Sequence, residues 1–217
     1  MFTGLVQSTG AISAVRPLAG GVQIDIDASG LAPRPIAPGD SIAVNGVCLT
    51  VTRVGEGGFS ADVSVESLAR TCGLDRPGRV NLETALALGD KLGGHLVAGH
   101  VDGVGRVLRC VPAGESLELV IEVPAALAAL MAVKGSVAVN GVSLTINRVH
   151  DAPAAARPAP CEISINLIPH TRAATTLDEL AAGSPVNLEA DLVARYVARM
   201  LEAGRNPGPG TEWPPGT

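Results

Sequence analysis

The chain has 217 residues, enough for one large or two small packed domains. Hydrophobic residues make up 47%, aromatics only 2%, and the net charge is −5. Lys and Arg are scattered, so no nucleic-acid partner is expected. No apolar run is long enough for a membrane span, and the opening MFTGLVQSTG has no basic stretch followed by an apolar one. The expectation is a cytoplasmic protein with no membrane partner.

In chain order, GVQIDIDA (Gly21–Ala28) comes first and alternates apolar and polar residues with the period of a strand. SIAVNGVCLTV (Ser41–Val51) follows. Its Asn45-Gly46 pair lies between β-rich runs, the strongest short-range hairpin signal, because both central residues of a type I′ turn need positive φ. Cys48 and Thr50 lie two apart on the second arm, with Leu49 between them, so they face the same side. The cysteines are Cys48, Cys72, Cys110 and Cys161. They form no CxxC pair and no zinc spacing, so reduced thiols and no metal are expected.

The second half repeats the first. An offset of 95 places Gly4 over Gly99, Val6 over Val101 and Gly10 over Gly105. It also places Ser41–Val51 over SVAVNGVSLTI (Ser136–Ile146), where eight of eleven positions are identical and Cys48 becomes Ser143. VNLE recurs at Val80–Glu83 and Val186–Glu189, an offset of 106. The extra residues fit largely into DAPAAARPAP (Asp151–Pro160), which reads as a surface loop. ESLELVIEV (Glu115–Val123) and CEISINLI (Cys161–Ile168) carry strand alternation, while AALAALMAV (Ala125–Val133) reads as a short helix. Asn187 and Glu189 mirror Asn81 and Glu83, which favours a structural role in closing each barrel.

After the second repeat the period changes. Leu192, Val193, Tyr196, Val197, Met200 and Leu201 share one face of an amphipathic helix, with Asp191 as N-cap and Gly204 as C-cap. From pattern alone that face could pack on its own barrel or on other subunits. The tail RNPGPGTEWPPGT is Pro/Gly-rich and reads as disordered. The expected fold class is mainly β: two homologous closed β-barrels in tandem (1–95 and 96–189), a C-terminal α-helix (190–204) and a tail (205–217).

Four blocks in order (MFTGLVQ, NGVCLTV, GGHLVAGHVDG and NGVSLT) together resemble the riboflavin synthase family, from Met1 to about Gly204. That resemblance implies two six-stranded Greek-key barrels per subunit and a homotrimer held by the C-terminal helices. It also implies active sites between the N-terminal barrel of one subunit and the C-terminal barrel of its neighbour. The implied reaction is a dismutation of two 6,7-dimethyl-8-ribityllumazine molecules, one giving a four-carbon unit to the other, to riboflavin and 5-amino-6-(ribitylamino)pyrimidinedione. No cofactor and no metal is implied. An association with lumazine synthase is left open.

The resemblance also marks residues. Gly4, Leu5 and Val6 would contact the first ligand, and Gly99, His100 and Val101 the second. Cys48, Leu49 and Thr50, with Ser143, Leu144 and Thr145, would line the pteridine ends of the pockets. Backbone groups on neighbouring strands would bond the heterocycle edge: Asp62, Val63, Ser64, Val65, Glu66 and Ser67 in the first half, and Leu167, Ile168, Pro169, His170, Thr171 and Arg172 in the second. Lys134 would reach the ligand of the adjacent subunit, and Asp191 would lie near the ribityl chain. The C7 methyl of the lumazine is acidic, so a base and an acid with pKa near 7 are needed. His100 is the first candidate for that proton transfer, with Cys48 and Ser143 as the other catalytic candidates, whereas His95 reads as structural and His150 has no motif. Two departures fall in the second half: His170-Thr171-Arg172 stands where Glu-Thr-Leu is common, and Asn140 where an acidic residue is common.

Two rivals carry different chemistry. A lumazine protein of the same fold would hold one ligand and do no chemistry. A flavin-dependent reductase would need a nucleotide-binding domain, and no GxGxxG follows any strand.

Overall fold

The computed structural model describes residues 1–31, 35–152 and 159–205. The first barrel is built from β1 (Ser8–Leu18), β2 (Gly21–Asp27), β3 (Ser41–Val44), β4 (Val47–Gly55), β5 (Gly58–Ser64) and β6 (Gly78–Thr84), closed in the order β1-β2-β5-β4-β3-β6. The second uses β7 (Gly103–Ala113), β8 (Ser116–Val123), β9 (Ser136–Val139), β10 (Val142–Asp151), β11 (Cys161–Leu167) and β12 (Pro185–Ala190) in the equivalent order. Every pairing is antiparallel, and closure leaves no free sheet edge.

The duplication extends to irregularities. A β-bulge between Ile12 and Ala14 recurs between Val107 and Arg109, and one between Val51 and Arg53 recurs between Ile146 and Arg148. Bulges sharpen strand bending, which small barrels need to close. Alternate side chains fill each interior: Ile24, Ile26, Leu49, Val51 and Val63 in one, Leu119, Ile121, Leu144, Ile146 and Ile165 in the other.

Both Asn-Gly hairpins form as expected. Asn45 and Asn140 have φ of 47° and 46°, and Gly46 and Gly141 both have 81°. The two tips meet: a Cβ on Gly46 would lie 2.6 Å from the Gly141 nitrogen, so neither glycine can carry a side chain. Asn81 and Asn187 fasten this junction. Asn81 Nδ2 donates to the Asn140 carbonyl and Asn187 Nδ2 to the Asn45 carbonyl. Their Oδ1 atoms accept from the Thr176 and Cys72 backbones of the opposite repeat. The expectation that Asn81 and Asn187 close their own barrels is thus corrected: each joins one barrel to the other. A small third core of Phe2, Ala43, Val97 and Ala138 fills the space between the barrels.

The helices differ from expectation. The strand reading of residues 62–67 holds only to Ser64, because the Ser64 hydroxyl accepts from Ser67 N and starts α1 (Val65–Arg70). Likewise β11 stops at Leu167, and Pro169 at a first-turn position opens α3 (Pro169–Ala174). The Ala125–Val133 helix shrinks to α2 (Ala125–Ala128), which ends before the apolar pattern does. The terminal helix α4 spans Leu192–Arg205, with Asp191 Oδ1 accepting from Val193 N as an N-cap does. Gly204 lies inside α4 rather than capping it. The Pro/Ala-rich loop reading falls mostly on residues outside the described set, and the tail reading falls outside it beyond Arg205. Among the described residues no helix is long and apolar enough to cross a membrane.

Candidate ligand site

The site residues sit on the outer face of the barrels. On β4, Val47, Leu49 and Val51 point inward, so Cys48 and Thr50 point outward; on β10, Leu144 points inward and Ser143 and Thr145 outward. Leu49 and Leu144 therefore belong to the cores.

Each outward pair meets the segment that leads into the other repeat. Cys48 N donates to the Gly99 carbonyl at 2.8 Å, and Ser143 N donates to the Gly4 carbonyl at 2.8 Å. Val101 packs on the first barrel's core and Val6 on the second's. The grouping expected from sequence is thus crossed: Gly4, Leu5 and Val6 lie beside Ser143 of the second barrel, and Gly99, His100 and Val101 beside Cys48 of the first. A Cβ on Gly4 would come within 2.6 Å of Ser143 Cβ, and one on Gly99 within 2.6 Å of Cys48 Cβ. Both glycines have positive φ, 72° and 79°.

Two buried carboxylates hold these lead-in segments. Glu83 accepts from Thr3 N (2.7 Å), Thr3 Oγ1 (2.6 Å) and Gly4 N (3.0 Å). Glu189 accepts from Ala98 N (2.6 Å) and Gly99 N (2.9 Å). Burial raises the pKa of both carboxyls, against the opposing pull of these backbone donors.

The histidines differ from one another in placement. His95 is buried, with Nδ1 2.7 Å from Ser143 Oγ and Nε2 buried without a partner. Burial lowers its pKa, opposed by the charge of Asp191, so the neutral ring is favoured. His100, the first candidate from sequence, is exposed. Sequence reasoning set His95 aside; its spacing from the repeat carried no signal of the contact with Ser143, 48 residues away. It also missed Thr3 as a partner of Glu83. Lys134 is exposed and donates from Nζ to Asn147 Oδ1 at 3.3 Å. Asp62, Ser64, Val65, Glu66, Ile168, Pro169 and His170 are exposed around the two strand-to-helix junctions, while Ser67, Thr171 and Arg172 are half-buried there. Cys161 is buried, its thiol pushed up to about 11, and Cys72 is also raised by burial, so neither is a ready thiolate. Among the described residues no cluster of His, Cys, Asp or Glu could hold a metal ion.

Two barrels of equivalent topology, each presenting a small polar pair beside a lead-in exchanged from the other, define a tandem-repeat protein of two small β-barrels. The family model of the lumazine binding domain matches this chain twice, over residues 3–85 and 98–191. The chain is 45% identical over 207 residues to a riboflavin synthase of Mycobacterium tuberculosis, covering 94% of this chain and 99% of that one. It is 37% identical over 203 residues to one of Photobacterium phosphoreum, covering 93% and 89%. Among solved structures, it resembles LumP complexed with riboflavin (TM-score 0.74) and LumP complexed with 6,7-dimethyl-8-(1'-D-ribityl) lumazine (TM-score 0.71). Both are 26% identical, and the matches cover 88% of this chain and 99% of theirs. The chain belongs to the lumazine-binding family of riboflavin synthases.

Proposed function

We propose that the chain is a riboflavin synthase that converts two molecules of 6,7-dimethyl-8-ribityllumazine to riboflavin and 5-amino-6-(ribitylamino)pyrimidinedione. The observation that carries this reading is the pair of matched half-sites, Cys48 with Thr50 and Ser143 with Thr145, each completed by a crossed lead-in. A reaction that consumes the same molecule twice needs two similar pockets. Bringing two ligands together in a fixed orientation can supply roughly 7–11 kcal/mol of the barrier in favourable systems.

In this reading the first pocket is framed by Gly99, His100, Val101, Cys48 and Thr50, with the Asp62–Ser67 junction. The second is framed by Gly4, Leu5, Val6, Ser143 and Thr145, with the Leu167–Arg172 junction and Asp191. Removal of a C7-methyl proton starts the chemistry and leaves a carbanion delocalised into the ring. Attack of that carbon on the second lumazine begins transfer of the four-carbon unit. His100, Cys48 and Ser143 are the groups assigned to proton transfer.

Thr50 and Thr145 are exposed beside the half-buried Cys48 and Ser143, so a neighbouring subunit is needed to close each pocket on that side. We assign a homotrimer packed through α4. Val193 is 67% and Met200 73% exposed, and Tyr196, Val197 and Leu201 share that uncovered face. An N-terminal barrel would then face a neighbour's C-terminal barrel, with Lys134 reaching across. The working units are 1–95, 96–189 and the helix 190–204. A cytoplasmic location completes the proposal.

The test is direct. Purified protein mixed with 6,7-dimethyl-8-ribityllumazine should develop riboflavin absorbance. Ligand that stays bound and unchanged for hours on an intact trimer would instead establish a binding protein of the same fold.

A further inference from the structure

Glu83 and Glu189 are each 4% exposed, and each lies at the end of a barrel's last strand. Neither carboxylate is directed at its own barrel's half-site. Glu83, on the first barrel, receives two successive backbone N–H groups of the Thr3-Gly4 segment. The next polar atom along that segment, the Gly4 carbonyl, is bonded to Ser143 N of the second barrel. Glu189, on the second barrel, receives the N–H groups of Ala98 and Gly99, and the Gly99 carbonyl is bonded to Cys48 N of the first. One carboxylate gripping two consecutive amides beside a positive-φ glycine fixes the direction of the following carbonyl.

We propose that Glu83 and Glu189 are positioning residues that act across the barrel boundary. Glu189 sets the pocket at Cys48, and Glu83 sets the pocket at Ser143. The proposal rests on the reading that those two residues line ligand pockets. Its mechanical basis is the absence of slack: the lead-in backbone cannot move toward the opposite strand, because the Gly4 and Gly99 positions already sit within contact of Ser143 and Cys48. Nor can it move away without leaving a buried carboxylate without its donors. Each repeat thereby supplies a rigid wall to the other's pocket, and each glutamate acts on one pocket only.

The test uses the full-length protein and a lumazine whose C7 methyl is replaced by trifluoromethyl. That ligand has no C7-methyl proton to lose and carries a fluorine reporter. Bound fluorine resonances are assigned to pockets with Cys48→Ala and Ser143→Ala. Glu189→Gln should then shift the resonance that Cys48→Ala shifts and weaken that pocket roughly tenfold, leaving the other within twofold. Glu83→Gln should do the reverse. A carboxylate that merely stabilised its own barrel would perturb its own pocket, or both alike, and either result would overturn the proposal. So would unchanged resonances in both variants. Should a glutamine variant fail to fold, the aspartate variant at that position keeps the charge, shortens the reach and is read by the same criterion. If neither Cys48→Ala nor Ser143→Ala moves any resonance, the pocket reading itself fails and takes this proposal with it. If those assignments hold and the crossed pattern is missing, only the positioning role fails.

Discussion

The two lead-in segments share one frame and differ in what is attached to it. In both, a buried glutamate grips consecutive amides, and a positive-φ glycine turns its carbonyl onto the opposite barrel. Beyond the glycine they part. Gln7 Oε1 accepts from Thr84 N and Thr84 Oγ1 on the exposed side of the first barrel. At the matching position, Asp102 accepts from Ala190 N and takes both guanidinium nitrogens of Arg195, at 2.6 and 2.9 Å. Among the described residues, only the second lead-in is therefore tied to α4 by side-chain hydrogen bonds. A similar difference marks the strands they touch: Ser143 shares a hydrogen bond with His95, and no described histidine bonds to Cys48. Duplication makes two equal places, and later substitutions around a retained backbone frame make them unequal. Two identical substrates that must act as donor and acceptor need both properties.

The shared frame is the place to strike hardest. Gly4→Ala and Gly99→Ala each force a side chain into backbone-level contact at a left-handed residue. Each should cost about 3 kcal/mol, the combined order of a strained φ and an overpacked contact. Urea denaturation would measure it. Near-equal losses would show that the frame is symmetric in energy as well as in shape; losses differing by more than ~1 kcal/mol would break that half of the comparison.

The attachments should weigh less and be unequal. The Asp102 side chain is largely covered and Arg195 partly so, which places their bidentate pair between surface and buried ion pairs. Asp102→Asn should therefore cost about 1–2 kcal/mol, and Gln7→Ala no more than ~0.5 kcal/mol. A double-mutant cycle of Asp102→Asn with Arg195→Gln isolates the pair. A coupling near zero would mean that α4 is not anchored through this contact, and the second lead-in would lose its distinguishing feature.

Much of the fold was legible in the sequence because it is written twice. The Asn-Gly turns, the alternating strands and the offset of 95 all rest on local pattern, and all appear in the structure. The outward direction of Cys48 and Ser143 also follows from period-two alternation around the inward Leu49 and Leu144. What the pattern could not carry was the crossing. Glu83 and Thr3 lie 80 residues apart, and Glu189 and Ala98 lie 91 apart. An offset identifies equivalent residues but is silent on whether each pairs within its own repeat or with the other. The ends of the strands were misjudged for a different reason: the Ser64 hydroxyl and Pro169 act as local helix starts inside runs whose apolar pattern still resembles strand.

The smallest effect concerns the His95–Ser143 contact, and pH is the way to reach it. Burial lowers the folded-state pKa of His95 below its ordinary value of 6.5. In the window just below 6.5 the unfolded chain then binds more protons than the folded one, so this group's contribution to stability rises with pH and is complete above that value. On acidification from pH 7 to 5 the contribution should fall. Glu83 and Glu189 act in the opposite direction. Their pKa values are raised by burial, so their contribution is complete below the ordinary carboxyl value and is lost as pH climbs through their folded pKa. The two trends oppose each other, and the total stability curve of the wild type reports only their sum. The difference curve between wild type and His95→Gln can, because the glutamates cancel in it. That difference should grow in favour of the wild type between pH 5 and about 6.5 and then level off. A flat difference across the range would mean that His95 titrates alike in the folded and unfolded chains, and that its link to Ser143 does not distinguish the second half-site.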